Sequence, residues 1–86
     1  MFKLATGVRV IPDAATGRAG VVNAAGTVMT LSATACLALV ALLEHGQVAD
    51  AERVLVERFP GEPVERLRAD LDVLIGQLLE NTVVVA

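Results

Sequence analysis

No charged side chain occurs between Ala19 and Leu43, and this run constrains the fold more than any other feature of the sequence. Its first part contains Gly, Asn, Thr and Ser at intervals. Its continuously apolar part, Ala33 to Leu43, is too short to cross a bilayer as a helix. The start of the chain lacks a signal-peptide pattern, because no continuous apolar stretch lies between Lys3 and Arg9. We therefore predict buried strands followed by a buried helix, with no membrane segment.

Three short segments rich in β-branched residues predict a sheet at the start of the chain. They are Val8–Ile11, Gly20–Ala24 and Thr27–Leu31. Because the connections between them are short, we expect an antiparallel meander in which the first or the third strand forms an edge. Alternation within the third strand places Met29 and Leu31 on one face.

Helical signals begin at Ser32, whose hydroxyl can cap a following helix. The first predicted helix runs from about Ala33 to Glu44 and ends at Gly46, which can adopt the left-handed conformation. It is apolar nearly all round, which is typical of a central buried helix. A second helix is predicted from about Ala49 to Phe59, where a Pro-Gly pair stops it.

The third predicted helix begins near Pro63, since proline suits the first position of a helix. It ends near Asn81, and Thr82 to Val85 is expected to be an extended tail or a short strand. Plotted at about 100° per residue, its apolar side chains share one face. This stripe consists of Val64, Leu67, Leu71, Leu74, Ile75 and Leu78.

The order of these elements predicts an α+β fold in a single domain, 1–86. A three-stranded antiparallel sheet would be followed by three helices. The second and third helices, joined by a short turn, are similar to a helix-turn-helix pair. We therefore expect a winged helix-turn-helix domain with its sheet placed first.

The sequence contains little that could carry catalysis. Its one histidine, His45, lies at the end of a predicted helix and has no second metal ligand nearby. Its one cysteine, Cys36, lies on the buried helix without a neighbouring base. The acidic residues match no calcium-loop spacing. We predict a non-enzymatic protein that binds no metal and no cofactor.

Charge disfavours nucleic acid as a partner, although a helix-turn-helix pair leaves DNA binding as the alternative function. The chain has 7 Lys+Arg against 10 Asp+Glu, a net charge of −3, and its second half is the acidic half. Phosphate binding requires the opposite field. The third helix carries Arg66 and Arg68 for a DNA groove, but it also carries four acids: Glu65, Asp70, Asp72 and Glu80.

Four motifs in this order resemble the PqqD-like family, the recognition element of pathways that modify ribosomally made peptides. They are the strand end Gly26–Ser32, the helix end Leu42–Gly46, the segment Leu55–Pro60 and the third-helix segment Arg68–Leu74. The third of these, Leu-Val-Glu-Arg-Phe-Pro, is similar to the family's Leu-x-Glu-Arg-Tyr/Phe-Pro. The resemblance covers nearly the whole chain.

Among such proteins, the chain most resembles the small stand-alone leader-binding component of lasso peptide pathways. The resemblance implies that it captures the leader peptide of a precursor in the cytoplasm. It would present the leader to a separate leader peptidase, a cysteine protease, and to a cyclase. Neither nucleic acid nor a membrane would be a partner, and the chain would act as a monomer or as a strand-mediated dimer.

In that family the leader binds as an added strand against the third strand, beside the third helix. The resemblance therefore implies a groove whose apolar walls could equally be plain core, with charged side chains at its rim. Which flank of the third helix faces the peptide stays open. The implied peptide-binding residues are Thr27, Val28, Met29, Thr30, Leu31, Leu67, Arg68, Asp70, Leu71, Asp72, Leu74 and Ile75.

Overall fold

A computed structural model describes residues 1–86 and shows an α+β fold with five short strands and three helices. The elements in chain order are β1 (Lys3–Leu4), β2 (Arg9–Pro12), β3 (Ala19–Val22), β4 (Val28–Leu31), α1 (Ala33–His45), α2 (Val48–Arg58), α3 (Val64–Glu80) and β5 (Val84–Val85). The predicted antiparallel sheet and three helices are confirmed, with boundaries shifted by one or two residues. No helix is both long enough and apolar enough to span a membrane.

The main sheet is the expected meander, in the order β2-β3-β4. Asp13 N–H donates to the carbonyl of Arg18 at 2.8 Å, and Asn23 N–H donates to the carbonyl of Thr27 at 3.0 Å, so both hairpins are closed by a main-chain bond. The Asn23 side chain also accepts from Thr27 N–H at 2.9 Å, which tightens the second turn. β3 is therefore central, and β2 and β4 are the two edges.

The predicted three-stranded sheet is confirmed, but it is not the only sheet: a second, two-stranded antiparallel sheet joins the two ends of the chain, and its strand β5 lies in the predicted extended tail Thr82–Val85. In this second sheet Lys3 pairs with Val85 and Leu4 with Val84, and Ala5 N–H donates to the carbonyl of Val83 at 2.9 Å. Strands of two residues show no alternation in sequence, so only the tertiary pairing reveals them. The pairing holds the N-terminal segment against the end of α3.

Helix α1 is buried on one side only, which corrects the prediction of a central buried helix: Ala38, Leu39, Ala41 and Leu42 are buried, whereas Val40 is 50% exposed. Its N-terminus is capped by the Ser32 hydroxyl, which accepts from Ala35 N–H at 3.1 Å. Its C-terminus ends at Gly46, with φ +75°, whose N–H donates to the carbonyl of Leu42 at 2.8 Å. One continuous apolar core packs against the buried face of the helix, and the most completely buried large side chains of that core are Leu31, Leu42, Leu71, Leu78, Val21, Val83 and Val84.

Helix α3 ends in a Schellman motif that carries threonine where glycine is usual. Val83 N–H donates to the carbonyl of Leu78 at 2.8 Å, and Thr82 N–H donates to the carbonyl of Leu79 at 3.1 Å. Thr82 has φ +54°, and it is the only non-glycine residue with a positive φ. A β-branched side chain is strained in this conformation.

We expect Thr82→Gly to raise the free energy of unfolding by about 0.5–1 kcal/mol. Removing the Cβ relieves the left-handed strain, and the greater freedom of glycine in the unfolded chain offsets part of the gain. Urea denaturation measures the change. Thr82→Ala is the matched control, because it retains the Cβ and should gain little. An equal gain for both variants would show that the strain does not come from the Cβ.

Candidate functional site

The outer edge of β4 has main-chain groups that no strand of this chain pairs with. Asn23 and Thr27 form a hydrogen-bonded pair, and bonded and non-bonded pairs alternate along two antiparallel strands. Met29 and Leu31 therefore direct their N–H and C=O groups toward β3. Val28 and Thr30 therefore direct theirs away from the sheet. Such an edge can accept a further extended strand.

The opposite edge, β2, is a poorer acceptor of a strand. By the same alternation, its outward-facing residues are Val10 and Pro12. Proline has no N–H, so this edge can donate only from Val10 and not from its last residue. The two edges of the sheet thus differ, and β4 offers donors and acceptors at both of its outward positions.

Two contacts relate helix α3 to the two ends of β4. At one end, the Asn23 side-chain amide donates to the carbonyl of Asn81 at 2.7 Å, which joins the β3–β4 turn to the end of α3. At the other end, Ser32, the residue after β4, lines a groove together with Asp70 and Leu71 of α3. β4 and α3 therefore run in opposite directions along this side of the molecule.

This groove, which we call the α1–α3 groove, has a volume of about 320 Å³ and an apolar floor. It lies between the first turns of α1 and the middle of α3. The residues that line it are Ser32, Thr34, Ala35, Ala38, Leu55, Asp70, Leu71, Val73, Leu74 and Gln77. Of the residues near β4, only Ser32, which directly follows the strand, lines the groove.

The structure brings together only part of the implied peptide-binding set. Thr27 is exposed just before β4, and Val28 and Thr30 are exposed along it. Met29 is half-buried and packs on the core, and Leu31 lies within it. Of the α3 residues, Asp70, Leu71 and Leu74 line the α1–α3 groove. Leu67 borders a smaller adjoining pocket with Asp70, and Ile75 is in the core without lining either.

Arg68 and Asp72 lie on the other flank of α3. The Arg68 guanidinium donates to the Glu52 carboxylate of α2, at 2.7 Å from Nη2 and 3.2 Å from Nε. This hydrogen bond, ahead of the charge attraction itself, lowers the pKa of Glu52 and raises the pKa of Arg68. Asp72 adds a weaker attraction to Arg68. Arg68 thus joins α3 to α2, and neither Arg68 nor Asp72 lines the groove.

Sequence reasoning missed the residues that α1 contributes to the groove, Thr34, Ala35 and Ala38, and two on α3, Val73 and Gln77. Val73 is the clearest omission, since it stays 62% exposed. Its signal in the sequence is an apolar residue outside the buried stripe of its helix. An exposed apolar side chain on a helix is one indication of a binding surface.

The groups available for chemistry are few and separate. Burial raises the pKa of the Cys36 thiol, which disfavours the reactive thiolate. No group of three or more His, Cys, Asp or Glu side chains is positioned to hold a metal ion. The arrangement of the open edge and groove is suited to binding an extended chain.

Comparison with protein-family models, with curated proteins and with solved structures finds no match to this chain. The candidate site is therefore defined by its geometry: an unpaired strand edge on β4, and an apolar groove between α1 and α3 that begins at Ser32, just after β4.

Proposed function

We propose that this chain binds an extended segment of another polypeptide as a fourth strand on the open edge of β4, beside α3. The observation that carries the proposal is the outward orientation of the Val28 and Thr30 main-chain groups next to the α1–α3 groove. Each main-chain bond contributes only about 0.5–1.5 kcal/mol net. Selectivity must therefore come from side chains that enter the groove.

We further propose that the bound segment is the leader peptide of a ribosomally made precursor, in the cytoplasm. The four motifs that resemble those of the PqqD-like family support this proposal, and the resemblance to the lasso pathway component makes a lasso precursor the first candidate. The chain itself supplies no catalytic group in this proposal. It delivers the leader to a separate cysteine protease and to a cyclase.

The winged helix-turn-helix arrangement remains our interpretation of α2, α3 and the main sheet, but charge disfavours its use on DNA. Of the two arginines on α3, Arg68 is bonded to Glu52, and Arg66 lies 3.7 Å from the Glu62 carboxylate. The remaining charged side chains of α3 are acidic and exposed. A duplex would meet a repulsive surface there.

A fluorescence-anisotropy titration tests the proposal directly. The probes are labelled leader peptides encoded beside this gene, and a random DNA duplex is the control. We expect saturable leader binding and no duplex binding at physiological salt. Salt-dependent duplex binding without leader binding would favour the DNA-binding alternative. A stable dimer that binds neither probe would indicate that the β4 edge pairs with a second copy of the chain.

A further inference from the structure

The α1–α3 groove combines an apolar floor with a carboxylate at its mouth. Leu71, Leu74 and Ala38 form part of the floor and are each at most 9% exposed. Asp70 lies at the rim and is exposed. The groove begins where β4 ends, at Ser32, so the residues of an added strand that pass Leu31 would reach both features.

The Asp70 carboxylate is free to meet a ligand charge. The three ion pairs of the molecule join Arg53 to Asp50, Arg66 to Glu62 and Arg68 to Glu52, and none of them engages Asp70. Arg66 borders the neighbouring pocket with Asp70, but its nearest carboxylate is that of Glu62, at 3.7 Å. The carboxylate therefore has no ion-pair partner within the molecule.

The rest of helix α3 is also negatively charged. Helix α3 carries four acidic residues against two arginines, a balance of −2. One of those arginines, Arg68, is held on the opposite flank by Glu52, so its charge is neutralised away from the groove. A cationic side chain approaching the groove would meet attraction from both the near carboxylate and the rest of the helix.

From these observations we infer that the groove selects an apolar residue together with a nearby Lys or Arg in the bound peptide. The apolar side chain fills the floor, and the cation pairs with Asp70. This inference rests on the proposed strand addition and names the class of peptide that it captures. It makes Asp70 a specificity residue and leaves Asp72, two positions along the same helix, without a role in binding.

A display selection from a random dodecapeptide library tests the inference on the full chain. With the natural protein, we expect enriched peptides to share an apolar residue and a Lys or Arg at constant spacing. With Asp70→Asn, the basic residue should lose its enrichment while the apolar residue keeps it. Asp72→Asn is the matched control, since it removes the same charge from the same helix, and its selected peptides should retain the basic residue.

Anisotropy titration of one enriched peptide then gives the magnitude. Replacing the Lys or Arg of the peptide by Gln should weaken its binding to the natural protein by about fivefold. The same replacement should hardly change its binding to the Asp70→Asn variant. Raising the salt concentration should shrink the difference. Enriched peptides without a basic residue, or a basic residue indifferent to Asp70→Asn, would overturn the inference while leaving strand addition in place. Failure to enrich any peptide would overturn the proposed function and this inference with it.

Discussion

Replacing Thr30 by proline is expected to weaken peptide binding by at least about tenfold while the domain stays folded. The Thr30 N–H points away from β3, so its loss breaks no bond within the sheet. The proline ring then occupies the space in which an added strand would lie, about 4.8 Å from β4. Binding is measured by anisotropy, and folding by circular dichroism.

Val10→Pro is the matched control for this variant. Val10 is also an outward-facing position on an edge strand, but it belongs to β2, on the far side of the sheet. Proline there removes an N–H that the proposed site does not use, so affinity should stay within about twofold. Equal losses in the two variants would show that proline acts through the stability of the sheet. Unchanged binding by Thr30→Pro would place the peptide elsewhere.

The largest effect on stability is expected from Leu78→Ala. Leu78 is 0% exposed, at the point where α3 meets the core. Truncating a buried leucine leaves a cavity and costs about 2–5 kcal/mol. For a domain of this size, whose total stability is on the order of 5–10 kcal/mol, that is a large fraction. Urea denaturation should show a lower midpoint with an unchanged slope.

The neighbouring residue provides the comparison for Leu78. Leu79 is 43% exposed on the same turn of the same helix. Leu79→Ala removes the same atoms from a surface that water already reaches, so we expect a loss of less than about 1 kcal/mol. If the two variants lost similar amounts, the orientation of α3 in the core would be wrong.

The helices and the main sheet could be predicted because their signals are local. Ser32 and Gly46 mark the ends of α1 through their own chemistry, and the periodic leucines of α3 define its buried face. The turn that ends at Thr27 likewise depends on the nearby Asn23. Such features need no knowledge of distant parts of the chain.

The second sheet and the lining of the groove depend on contacts between distant segments of the chain. The pairing of Leu4 with Val84 joins opposite ends of the chain, and no periodicity in two-residue strands indicates it. Likewise, the sequence places Arg68 and Asp70 on opposite flanks of α3, but only the packing of α1 and α2 decides which flank borders the groove. The assignment of the candidate site to β4 and α3 therefore came from the family resemblance and stays a prediction, and the set of residues that line the groove could not be predicted from the sequence.

The central claim, strand addition to β4, is tested most directly by changing the main chain of the peptide rather than the protein. A series of bound peptides, each N-methylated at one position, would be titrated by anisotropy. Because β4 offers outward carbonyls at Val28 and Thr30 only, we expect affinity to fall at two positions that lie two residues apart, with no loss at the position between them. Loss at consecutive positions, or no loss at any position, would contradict strand addition.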